Sequence, residues 1–138
     1  MLPIDLFICF AGIPKVTIQS NYHVPFLSNA EIMATVQNKS DFPPTTSVKW
    51  QRYKYYSNYD INITEDRYLG STEDLFAPTL VINQVDFDFV HGTRYRCIAS
   101  NAEGSWTSSY TNVYVYGSMY LKYVVSRLLC ILVFYFTF

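Results

Sequence analysis

With 138 residues, half of them apolar, the chain has enough material for one self-contained core. Its 10 basic and 11 acidic side chains nearly cancel, which argues against the strongly basic face of a nucleic-acid binder. The 13 Tyr, 10 Phe and 2 Trp, set among many Thr, Ser and Val, favour strands over helices.

Residues 1–12, MLPIDLFICFAG, are apolar with one acid, Asp5, and no base. They read either as a weak secretory leader or as the truncated start of a longer chain. Residues 13–117 read as one module of short strands. Val16-Thr17-Ile18, after Pro14, predicts a first edge strand. Ile32, Ala34 and Val36 alternate with polar neighbours, the period of a half-buried strand. Asp41-Phe42-Pro43-Pro44 breaks the chain, and Val48-Lys49-Trp50-Gln51 then puts Val48 and Trp50 on one face. Residues 51–66 read as a hairpin and loop, and Tyr68–Thr72 as a short strand and turn. Thr79–Asn83 turns Leu80 and Ile82 inward, and Tyr95, Cys97 and Ala99 share one face of the next strand. Asn101-Ala102-Glu103-Gly104 predicts a hairpin turn, and Val113 and Val115 face inward from the last strand. Seven or eight strands at this spacing describe a sandwich. Residues 118–138 form a hydrophobic tail. Gly117-Ser118, a nine-residue spacer and the eleven-residue run 128–138 follow the order of a lipid-anchor signal. A truncated membrane span and a read-through artefact explain the run equally well, because Lys122 and Arg127 interrupt any longer window.

Two triplets, Asn38-Lys39-Ser40 and Asn62-Ile63-Thr64, match the acceptor sequence for N-linked sugar. His23 and His91 stand apart from any Cys or acidic cluster, so no metal site is expected. No catalytic constellation emerges either; the expectation is a protein without enzymatic activity or cofactor. If Trp50, Tyr95 and Cys97 face inward, then Lys49, Gln51, Tyr53, Arg94, Arg96, Ile98, Tyr114 and Tyr116 share the opposite face of one sheet. Tyr and Arg are enriched at protein-binding surfaces, which makes Lys49, Gln51, Tyr53, Arg94, Arg96 and Tyr114 the candidate binding face.

The order Trp50, Leu80-x-Ile82, Tyr95-x-Cys97, Asn101-x-x-Gly104 resembles intermediate-set immunoglobulin domains of adhesion and matrix proteins. The resemblance implies an all-β, Greek-key β-sandwich of two antiparallel sheets, with Tyr95 closing a corner by bonding backbone. It implies an extracellular or cell-surface module that recognises a protein, a second copy of itself among the candidates, with membrane association through the tail. An intracellular filament-type module and one repeat of a larger adhesion protein are the alternatives.

Two departures stand out. The family's first Cys belongs at Ala34, so Cys97 has no partner within the module. A bridge closing that loop would stabilise by about 4 kcal/mol. Cys97 is therefore expected to act as a buried apolar residue, with an intermolecular disulfide as the alternative. His91 stands where the family carries an acid, leaving Asp86 or Asp88 to pair with a base such as Arg67.

Overall fold

The computed structural model describes residues 12–117. The leader-like segment up to residue 11 and the tail 118–138 lie outside the described residues, and with them Cys9 and Cys130. Among the described residues no helix is long and apolar enough to cross a membrane.

The described residues form an all-β sandwich of nine short strands in two sheets. The strands are β1 (Lys15–Ile18), β2 (Asn21–Pro25), β3 (Ala30–Gln37), β4 (Ser47–Lys54), β5 (Ser57–Asp60), β6 (Thr79–Ile82), β7 (Arg94–Asn101), β8 (Gly104–Thr107) and β9 (Thr111–Tyr116). A one-turn helix, α1 (Phe87–Val90), crosses between β6 and β7. The smaller sheet has the order β1-β3-β6, and the larger runs β2-β9-β7-β4-β5, with β8 also paired to β7.

Alternation writes both inner faces. In β3 the residues at even positions, Ala30, Ile32, Ala34 and Val36, are buried, and every neighbour between them is exposed. Val48 and Trp50 of β4, Tyr95, Cys97 and Ala99 of β7, and Leu80 and Ile82 of β6 meet them in one core. Trp50 lies opposite Cys97 in the β4–β7 register, and its indole N–H donates to the Thr72 carbonyl at 3.1 Å. Burying a side chain of this size is worth several kcal/mol.

Cys97 is a free thiol with no exposed surface. Burial pushes its ionisation up to about 12, so it packs as a neutral apolar group. An intermolecular disulfide at Cys97 would require the core to open.

The N-terminal strand changes sheets. β1 pairs antiparallel with β3, the chain steps across at Gln19-Ser20, and β2 pairs parallel with β9. The crossing exposes the Met33 N–H past the end of β1, and the Tyr22 hydroxyl accepts from it at 3.1 Å. One sheet is thus mixed, not purely antiparallel as expected, and the step brings the strand count to nine. Residues 68–72 also differ from expectation. Asp66–Tyr68 form a 3-10 turn, Gly70 has φ +94°, and no strand follows. Ser71 and Thr72 instead meet β6 with their side chains: Val81 N–H donates to Ser71 Oγ at 2.8 Å and Thr79 N–H to Thr72 Oγ1 at 3.0 Å.

Arg67 finds Asp86, as one of the two acids anticipated. Its guanidinium lies 3.9 Å from the Asp86 carboxylate, donates to the Asn83 and Gln84 carbonyls at 3.2 and 2.9 Å, and covers the Phe89 ring at 4.2 Å. Asp86 also accepts from Phe89 N–H at 2.7 Å, capping α1.

The expected tyrosine corner does not form. The Tyr95 hydroxyl is buried and has no hydrogen-bond partner among the described residues. The carbonyls just upstream already receive other donors: Phe89 from Thr93 Oγ1 and Lys54 Nζ, Val90 from Thr93 N–H. Burial, reinforced by the neighbouring Tyr68 phenol, raises the Tyr95 ionisation above the usual range.

An unpaired buried hydroxyl costs about 1–3 kcal/mol, so Tyr95→Phe should leave stability unchanged or raise it by about 1 kcal/mol in urea denaturation. A loss of that size would restore the corner. Cys97 adds a pH signature. Its folded ionisation lies above the unfolded value of 9.0, so its contribution is complete below pH 9.0 and lost as pH rises towards about 12. Denaturant midpoints taken across that alkaline range should fall, and fall less steeply in Cys97→Ala.

Candidate functional site

The outer face of the larger sheet is set by the same register as the core. Gln51 lies opposite Arg96, Tyr53 opposite Arg94, and Lys49 opposite Ile98. Gln51 continues across to Asp60 on β5. The sheet therefore carries a row of long polar side chains directly behind Trp50 and Cys97.

These side chains form a connected network. Lys49 Nζ donates to Asp60 Oδ2 at 3.3 Å, and Gln51 Nε2 donates to Asp60 Oδ1 at 2.7 Å. Arg96 Nε donates to Gln51 Oε1 at 3.0 Å. The Gln51 amide, ahead of Lys49, holds the Asp60 carboxyl below its ordinary ionisation range. The Arg94 guanidinium lies 4.6 Å from both the Tyr53 and the Tyr110 ring centres, and Arg96 lies 5.0 Å from Tyr110. Such contacts stabilise by about 0.5–1 kcal/mol each at exposed sites, enough to fix orientation. They do not neutralise charge. Among the described residues Arg94 and Arg96 have no carboxylate within ion-pair distance, and Lys49 alone on this face is paired.

Of the six residues anticipated for this face, the structure brings five together: Lys49, Gln51, Tyr53, Arg94 and Arg96. Tyr114 stands apart. It projects from the far end of β9, stacks on His23 at 5.1 Å, and shares with the network an open cleft of about 260 Å³, lined by Phe87, His91, Gly92 and Arg94. The cause is register: β9 pairs with β7 only at Tyr95↔Thr111 and Arg94↔Asn112, so Tyr114 lies beyond the end of β7.

Sequence reasoning missed Tyr110, whose hydroxyl donates to Asn58 Oδ1 at 2.7 Å. Residues 108–110 bulge between β8 and β9, which follow the same side of β7. Ser108 maintains the ladder across the gap: its N–H donates to Cys97 O, and its Oγ accepts from Cys97 N–H, both at 2.9 Å. A bulge re-aims the residues beside it, and here it turns Tyr110 over the arginines.

Tyr55 and Tyr56 were also missed as part of this surface. They form the β4–β5 turn with φ +53° and +64° and are 78% and 94% exposed. Two-residue turns of this geometry favour Asn-Gly, because positive φ is costly for bulky side chains.

The glycosylation triplets differ from each other. Asn38 Nδ2 donates to the Pro43 carbonyl at 3.0 Å, and its Oδ1 is buried. Asn62 is exposed; its Oδ1 accepts from Thr64 Oγ1 at 2.7 Å and from Thr64 N–H at 3.1 Å.

Among the described residues no three His, Cys, Asp or Glu side chains converge as a metal site requires. Compared with known proteins, the chain matches no family model and no curated protein.

Replacing Tyr55-Tyr56 tests whether the turn serves the fold. Each tyrosine held at positive φ costs about 1–3 kcal/mol, against about 0.5 kcal/mol for the Lys54 contact over Tyr55. Tyr55→Asn with Tyr56→Gly should therefore raise stability by about 1–2 kcal/mol in denaturant titration. A loss of stability would make the tyrosines structural.

Proposed function

We propose that this chain is an immunoglobulin-like binding module that recognises a protein partner non-covalently, outside the cell or at its surface. Its work is adhesion, receptor-type contact or innate defence, and the recognition face is the outer side of the larger sheet. One observation carries the reading: Arg94 is clamped between Tyr53 and Tyr110, with Arg96 beside it, and neither guanidinium has an acidic partner among the described residues. A side chain held rigid loses little entropy on binding, and an unneutralised guanidinium offers a planar fork to a carboxylate. Tyr55 and Tyr56, exposed at the adjoining turn, extend that surface with large aromatic area. The family assignment rests on Trp50, Leu80 and Ile82, Tyr95 and Cys97, and the Asn101–Gly104 turn, within an all-β sandwich. Nothing in the recognition needs a cofactor, and a second copy of the chain qualifies as partner.

The unbridged, fully buried Cys97 favours a second reading, an intracellular filament-type module. A core that needs no disulfide suits a reducing compartment.

The test is binding of the purified full chain to cell surfaces, measured by flow cytometry, with self-association followed by sedimentation. Arg94→Glu with Arg96→Glu should weaken whichever association is found at least tenfold while the far-ultraviolet circular dichroism stays that of the parent. Equal binding by the folded double variant would sink the proposed face.

A further inference from the structure

We infer that Asn62 is the N-glycan acceptor of this chain and that Asn38, despite its matching triplet, is not. The inference rests on the proposed passage through the secretory pathway and adds a modification site to it. In the transfer, the Asn amide nitrogen attacks C1 of a sugar carried on a lipid pyrophosphate. The N–C1 bond forms, the C1–O bond to the pyrophosphate breaks, and the lipid pyrophosphate leaves with the electron pair. The displaced amide proton goes to a base of the transferase.

Asn62 suits this chemistry. Both bonds from Thr64 fall on Oδ1, which fixes the side chain and leaves the nitrogen side of the amide unoccupied. Its Nδ2 makes no hydrogen bond among the described residues, and the side chain is exposed. The residue before it is anchored, since Ile61 is buried and its N–H donates to Trp50 O at 2.9 Å. A sugar on Asn62 therefore grows from a fixed point into solvent without breaking any contact.

Asn38 is built into the fold instead. The Pro43 carbonyl that accepts from Asn38 Nδ2 also accepts from Asn101 Nδ2, both at 3.0 Å. Asn101 in turn accepts from Glu103 and Gly104 N–H, so the Asn38 amide belongs to the hub that ties residues 38–43 to the β7–β8 turn. Its nitrogen, the atom a sugar would take, is already committed to that hub, and its Oδ1 is buried beside it.

The location has a physical use. β5 is the outermost strand of its sheet, and all four of its residues are exposed. An open edge invites pairing with another chain, and a glycan two residues beyond Asp60 stands beside it as a guard.

The deciding experiment expresses the full chain behind a cleavable secretory leader in cells with a secretory pathway. The secreted protein is treated with a peptide N-glycosidase, which converts each glycosylated Asn to Asp, and the sites are mapped by mass spectrometry. Conversion at 62 and not at 38 is expected. Thr64→Ala should abolish the mass shift, Thr64→Ser should keep it, and Ser40→Ala should leave it as in the parent. Secreted protein unmodified at Asn62, or sugar mapped to Asn38, would overturn the inference. The chain without the added leader tests the other claim: cytosolic retention there counts against the surface location, while the leader-bearing arm still decides Asn62.

Discussion

Everything in this sandwich depends on the register that sets Trp50 opposite Cys97. Because side chains alternate along a strand, a one-residue slip of β4 against β7 would carry Val48 and Trp50 into solvent. The same slip would bury Lys49 and Gln51, and a slip of β7 would bury Arg94 and Arg96 in place of Tyr95 and Cys97. The core and the proposed recognition face are therefore two consequences of one pairing. The burial of Trp50, Tyr95 and Cys97 holds the register, and the charged row on the other side makes any slip prohibitive. No covalent bond helps within the described residues: Ala34 and Cys97, from opposite sheets, are both buried in the same apolar cluster.

Much of the fold was legible because most strands keep one face in the core. β3 alternates without exception, and β4, β6 and β7 turn Trp50, Leu80, Ile82 and Cys97 inward as their patterns require. β2 was illegible for a physical reason. Tyr22 and Val24 are only half-buried, Pro25 ends the strand, and its parallel partner β9 lies about 90 residues away. Tyr68–Thr72 misled because Tyr and Thr favour strands, whereas Gly70 at positive φ turns the chain and leaves one backbone bond, Thr72 N–H to the Thr79 carbonyl, with two hydroxyls to complete the pairing. The Tyr-x-Cys pattern correctly located Tyr95 in the core. It carried no information about which upstream carbonyls were already occupied, and those decided the fate of its hydroxyl.

The proposed recognition face shows the same division. Alternation found Lys49, Gln51, Tyr53, Arg94 and Arg96 because strand pairing alone brings them together. Tyr110 came from a bulge, and Tyr55-Tyr56 from a turn whose residues contradict its geometry. Irregular backbone has no period to detect. The most exposed aromatic contacts of the proposed surface thus sit where local preference is overridden, which is where strain and function tend to coincide.

The most direct test of the account is Ala34→Cys. If Ala34 and Cys97 face each other across the sandwich as a vacated bridge position, air oxidation should join residues 34 and 97. Peptide mapping would identify the bond, and unfolding stability should rise by about 4 kcal/mol over the reduced form. Free thiols at both positions after oxidation, in a folded protein, would contradict the arrangement of the two sheets on which the core, the register and the outer face all rest.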